Sequence, residues 1–249
     1  MKCLKRIKRQ VVVIGVVVLS VLGAAISTQA DQLTTAPGFG PWQFGAGGEF
    51  TVTPDAGISA LLSPSYSPFT VNQGNARGSF QTFCIERNEY ITAPTTFDVT
   101  VNTVTMFTGD PLSAGAAYLY QQFALGNLNY NYANAATFGG YSGASRSTGF
   151  LYSAAYLQYA IWYLMNPNMY AGQANNPYVL AANAALGGAA NSFLPDNGAH
   201  GVKVLNLWAP GQPHDPQHTF QDVLIYTVPE PSVLALVSVA ALLAARRRK

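Results

Sequence analysis

Two cysteines occur in the 249 residues, Cys3 in a basic N-terminal stretch and Cys84 within Thr82-Phe83-Cys84-Ile85-Glu86. A lone cysteine in the body of a protein is either a buried, inert hydrophobe or a reactive thiol. Phe83 and Ile85 on either side suit a packed strand, so both meanings stay open. Glu86 and Glu89 flank Arg87. Paired acids can do acid–base chemistry, although a surface charge cluster is the commoner meaning. His214-Asp215-Pro216-Gln217-His218 offers two imidazoles and a carboxylate. Pro213 and Pro216 oppose the helix that would bring both rings to one face, so a solvated loop without metal is expected. Gly140-Tyr141-Ser142-Gly143-Ala144 lacks the last glycine of a nucleophile elbow. Gly38-Phe39-Gly40 lacks the third glycine of a dinucleotide loop, and no phosphate-loop lysine motif occurs. The expectation is a protein that is not an enzyme and carries no cofactor. A secreted hydrolase is the distant alternative, since glycan hydrolysis needs only two acids and aromatic platforms.

The elements that must position these side chains are legible in part. Strand-like runs are expected at residues 49–53, 68–72, 78–86 and 96–107. The last alternates Phe97, Val99, Val101, Val104 and Met106 with Thr and Asn, with a break near Asn102 like a bulge. Residues 114–125 are rich in Ala, Leu, Tyr and Gln and read as a helix. Residues 126–149 are a Tyr/Asn/Gly/Ser loop, whose 127–141 portion suits stacking and hydrogen bonding to polysaccharide. Residues 150–165 give the strongest helix signal, ended by Asn166-Pro167, and an Ala-rich helix is expected over 177–190. Strands return at 202–208 and 220–227. Strands, then helices, then strands describe an α+β protein. The expected body is a β-sandwich or barrel-like sheet (49–107 and 201–227) with a helical insert (114–194) between its halves.

Charge is unevenly placed. The chain holds 13 Lys and Arg against 11 Asp and Glu, yet residues 31–228 keep only Arg77, Arg87, Arg146 and Lys203 against ten acids, a net of −6. A body without a basic cluster has nothing to neutralise phosphates, which excludes a nucleic-acid partner. With 14 Tyr, 13 Phe and 3 Trp it is too apolar for a disordered chain.

The remaining bases are at the ends. Residues 1–30 read as a cleavable signal peptide: a basic stretch, an apolar run from Val11 to Ile26, then Ser27-Thr28-Gln29-Ala30, with cleavage expected between Ala30 and Asp31. At the other end, Val228-Pro229-Glu230-Pro231 precedes an apolar run over 232–245 and the stop-transfer cluster Arg246-Arg247-Arg248-Lys249. Fourteen helical residues cover about 21 Å, a short transmembrane helix that crosses a thinned bilayer with its arginines snorkelling. Residues 228–249 resemble the PEP-CTERM sorting signal of Gram-negative bacteria. The resemblance implies a transient stay in the inner membrane, anchored by the C-terminus. It also implies recognition of Pro229-Glu230-Pro231 by an exosortase after export, and delivery to the cell surface or an exopolysaccharide matrix.

The segment around Cys84, followed about 70 residues later by Tyr156-Leu157-Gln158-Tyr159-Ala160-Ile161-Trp162, resembles the two signatures of surface thioester domains. That resemblance implies an internal thioester between the Cys84 sulfur and the Gln158 side-chain carbonyl, with Phe83, Ile161 and Trp162 packed around it. Such a bond presents an activated acyl group to a surface amine or hydroxyl. The expected function is therefore a surface or matrix protein, an adhesin if the thioester forms. The alternative is a structural or glycan-binding matrix protein with an inert Cys84.

Overall fold

A computed structural model of the chain describes residues 30–37, 49–72, 77–91, 95–130, 132 and 153–227. Six strands make one antiparallel sheet: β1 (Asp31–Pro37), β2 (Phe50–Pro54), β3 (Phe80–Thr82), β4 (Thr95–Asn102), β5 (Val202–Trp208) and β6 (Thr219–Tyr226). Their order is β3-β2-β1-β4-β5-β6. The sheet curls until its edges meet, because Cys84, just past β3, bridges Val223 of β6. The seam is stitched at Thr82, whose hydroxyl donates to Leu224 O (2.6 Å) and accepts from Leu224 N (3.0 Å).

The first strand is absent from the sequence expectation, which starts the sheet at residue 49. β1 nevertheless occupies its middle, pairing with both β2 and β4. Two further corrections concern strands. Residues 68–72 form a turn in which only Val71 makes an isolated bridge. β4 ends at Asn102 instead of bulging there and running to 107.

Among the described residues the longer helices lie between β4 and β5 in the chain: α2 (Ala114–Ala124), α3 (Ser153–Met165) and α4 (Pro177–Ala185), with the single turn α5 (Ala189–Ser192) after them; a short turn, α1 (Ala56–Ser59), follows β2. Ser113 caps α2 by accepting from Ala116 N (3.2 Å). Asn176 caps α4 at Tyr178 N (2.9 Å), with Pro177 at the first helical position, where its missing N–H costs nothing. The single helix expected over 177–190 is two, because Gly187 and Gly188 take φ of 76° and 132°. No described helix is long and apolar enough to cross a membrane. The expected signal peptide (1–30), apart from Ala30, and the expected sorting segment (228–249) lie outside the described residues, as does most of the 126–149 loop.

Strand alternation sorts the core into two. Leu205, Leu207, Val223 and Ile225 join Leu33, Val52, Phe80 and Phe97 inside the curl. Val202, Val204, Leu224 and Tyr226 point the other way, onto α2, α3 and α4. Phe83 and Ile85 belong to this second cluster, which carries the segment around Cys84 against the helices.

Candidate functional site

The buried side of α3, packed against α2 and α4, is mostly apolar: Ala154, Leu157, Ala160, Ile161 and Leu164 are buried there. Gln158 and Ser153 are the buried polar residues of this helix, and Gln158 is only 2 % exposed. Its Oε1 accepts from Cys84 N (3.0 Å) and its Nε2 donates to Cys84 O (2.6 Å). The carboxamide thus pairs with one residue's backbone as a neighbouring strand would. A buried amide left unpaired would cost the fold, so this double bond fixes α3 against the segment after β3.

Cys84 is fully buried. Burial pushes its thiol well above the ordinary value, and the nearby Asp222 charge adds to the rise. The thiol therefore stays protonated at neutral pH. Phe83 packs edge-on against Phe123, with ring centres 5.0 Å apart, and Ile161 is wholly buried. Trp162 stacks on Tyr170 (5.5 Å, 15° between planes), and the Arg87 guanidinium lies 5.5 Å from the centre of the Tyr170 ring. The structure thus brings together Cys84 and Gln158, which are 74 residues apart. Phe83 and Ile161 lie in the same apolar cluster, whereas Trp162, though buried, stands outside it with its ring against Tyr159 and Tyr170.

The histidines do not converge. His214 packs its ring on Trp208 (5.4 Å), while His218 bonds to Asp215 (2.9 Å). Sequence reasoning missed the partner of Glu86 and Glu89, which is Asp222 of β6. One carboxylate oxygen from each of the three lies within 4.8 Å of the others. All three residues are buried, so the expected surface charge cluster is an internal one. Nothing local signals it, because Asp222 is 133 residues beyond Glu89 and arrives only by strand pairing.

A cleft of about 910 Å³ opens between α3 and α4. Tyr130, Tyr156, Tyr178, Asn129, Gln173 and Asn176 are among its walls. Aromatic faces beside carboxamides suit both stacking and hydrogen bonding. Of the expected polysaccharide loop, residues 127–130 and 132 are described, and Asn129 and Tyr130 reach this cleft. Set against known protein families, curated proteins and solved structures, the chain matches none.

Proposed function

We propose that this chain is an exported surface or matrix protein, not an enzyme, sorted through residues 228–249, and that Cys84 and Gln158 form an internal thioester in its body. The body is a barrel-like curled sheet with a helical insert between β4 and β5. One observation supports the thioester: the Gln158 carboxamide is hydrogen-bonded to the backbone of Cys84 itself, 3.0 Å from its N and 2.6 Å from its O, which puts the two residues side by side in a buried setting. In the reaction the Cys84 sulfur attacks the side-chain carbonyl carbon of Gln158. A sulfur–carbon bond forms, the carbon–nitrogen bond breaks, and the thiol proton leaves with the nitrogen as ammonia. Water exclusion by the surrounding apolar side chains then protects the bond. An amine or hydroxyl on a matrix or partner surface would open it, leaving the protein covalently attached.

Intact mass of the purified chain tests this. The thioester makes the chain lighter by one ammonia and blocks Cys84 from alkylation under denaturation, and methylamine restores a free thiol. Full mass together with a freely alkylated Cys84 would overturn it. The second reading, a non-covalent glycan-binding matrix protein with an inert Cys84, is favoured by the Tyr- and carboxamide-lined cleft. Polysaccharide retention that survives Cys84→Ser and is lost on Tyr156→Ala would support it.

A further inference from the structure

The Glu86, Glu89 and Asp222 cluster has a polar shell on one side only. Glu86 is held by Phe107 N (3.3 Å), Thr108 N (3.0 Å) and the Thr108 hydroxyl (2.9 Å). Asp222 Oδ2 accepts from Met106 N (2.6 Å) and Asn206 Nδ2 (2.7 Å). Glu89 Oε1 accepts from the Thr219 hydroxyl (2.6 Å). The opposite oxygens, Glu89 Oε2 and Asp222 Oδ1, have no partner. Asn206 is a separate witness: it is wholly buried, donates its amide N–H groups to Asp222 Oδ2 (2.7 Å) and the Val104 carbonyl (3.2 Å), and leaves its own Oδ1 without a partner. Its place follows from the β5–β6 irregularity between Leu205 and Leu207, which leaves Asn206 out of the pairing register.

Among the described residues, no Lys or Arg forms an ion pair with any of the three acids. Arg87, the nearest base in sequence, is turned to Tyr170. Unpaired buried charge is costly, and three carboxylates without a base need a cation or protons. We propose that Glu86, Glu89 and Asp222, with the Asn206 side-chain oxygen, form a buried binding site for a hard divalent cation of the calcium type. Oxygen-only ligands suit calcium, whose bonds of about 2.4 Å allow ligand oxygens up to roughly 4.8 Å apart. One oxygen from each of Glu86, Glu89 and Asp222 falls within that limit of the other two. A small cleft of about 40 Å³, bordered by Arg87, Thr105 and Thr108, reaches Glu86 at the edge of the cluster.

The test uses the exported chain, stripped with a chelator and titrated with calcium chloride by calorimetry and thermal unfolding. Elemental analysis before stripping is its companion. The expected result is a saturable heat, a melting point raised by several degrees in roughly millimolar calcium, and a smaller effect of magnesium. Asp222→Asn and Glu89→Gln keep shape and the accepted hydrogen bonds, and each should weaken binding about ten-fold or more. Asp215→Asn, at an exposed acid outside the cluster, should change nothing. No heat and no shift up to about 10 mM calcium, with no divalent metal in the unstripped protein, would overturn the site. So would equal stabilisation by potassium chloride, or an equal loss in Asp215→Asn. If a cluster variant fails to fold, the unmutated chain's calorimetry and metal content still decide.

Discussion

While the carboxamide is intact, both polar ends of Gln158 are committed to the Cys84 backbone, so Gln158→Leu orphans a buried N–H and a buried C=O together. The expected loss is roughly 2–5 kcal/mol of stability, read by chemical denaturation. Cys84→Ser keeps that backbone pairing and should cost far less, while removing any thioester. Equal losses in the two variants would show that the carboxamide pairing is not what holds α3. Glu49 is a second buried polar residue with a readable consequence. Burial raises its carboxyl to about 7, against the opposing hydrogen bond from the Tyr130 hydroxyl. The folded state therefore binds this proton more tightly than the unfolded chain does. Its contribution to stability is complete below about 4.5, the ordinary value, and is lost as pH rises through about 7. Glu49→Gln should flatten that part of the stability–pH curve, and an unchanged slope would refute the assignment.

Close packing between elements explains Gly115 on α2. A methyl group there would meet a Leu164 methyl carbon at 2.9 Å and the Ser192 carbonyl oxygen at 3.0 Å. Gly115→Ala gains about 1 kcal/mol of helix propensity and loses roughly 1–3 kcal/mol to overpacking. A lower denaturation midpoint is expected, and a higher one would mean that α5 yields. The same scale shows what could be read beforehand. β5, β6 and α2 were legible because their apolar spacing matches their final faces. β1 was not: Asp31-Gln32-Leu33-Thr34-Thr35-Ala36-Pro37 has little apolar signal, and its strand state comes from partners on both sides. Residues 103–107 keep the look of a strand, yet Asp222 and Glu86 take the N–H groups of Met106 and Phe107, and the chain leaves the sheet. Cys84 stood out by its isolation and Gln158 by its neighbours. The acidic trio did not, because spacing along the chain says nothing about a pairing made across the seam.

At the scale of the whole molecule, bases gather at the two ends while an acidic body lies between them. That division accords with the proposed export route, which has its own check. Replacing Pro229-Glu230-Pro231 with alanines should trap a full-length species in the inner membrane, seen by fractionation and immunoblot. Undiminished release would refute the sorting role. The seam of the sheet has one more consequence, for time rather than for energy. β1 is the first strand to emerge during synthesis and β6 the last, and Thr82 must wait 142 residues for Leu224. Pairings of such long range close slowly. Until β6 arrives, the segment carrying Cys84 lacks its strand partner, and its thiol is open to oxidants that the finished fold keeps out. The order of translation thus sets a window of chemical vulnerability for this cysteine, and that window shuts when the last strand docks.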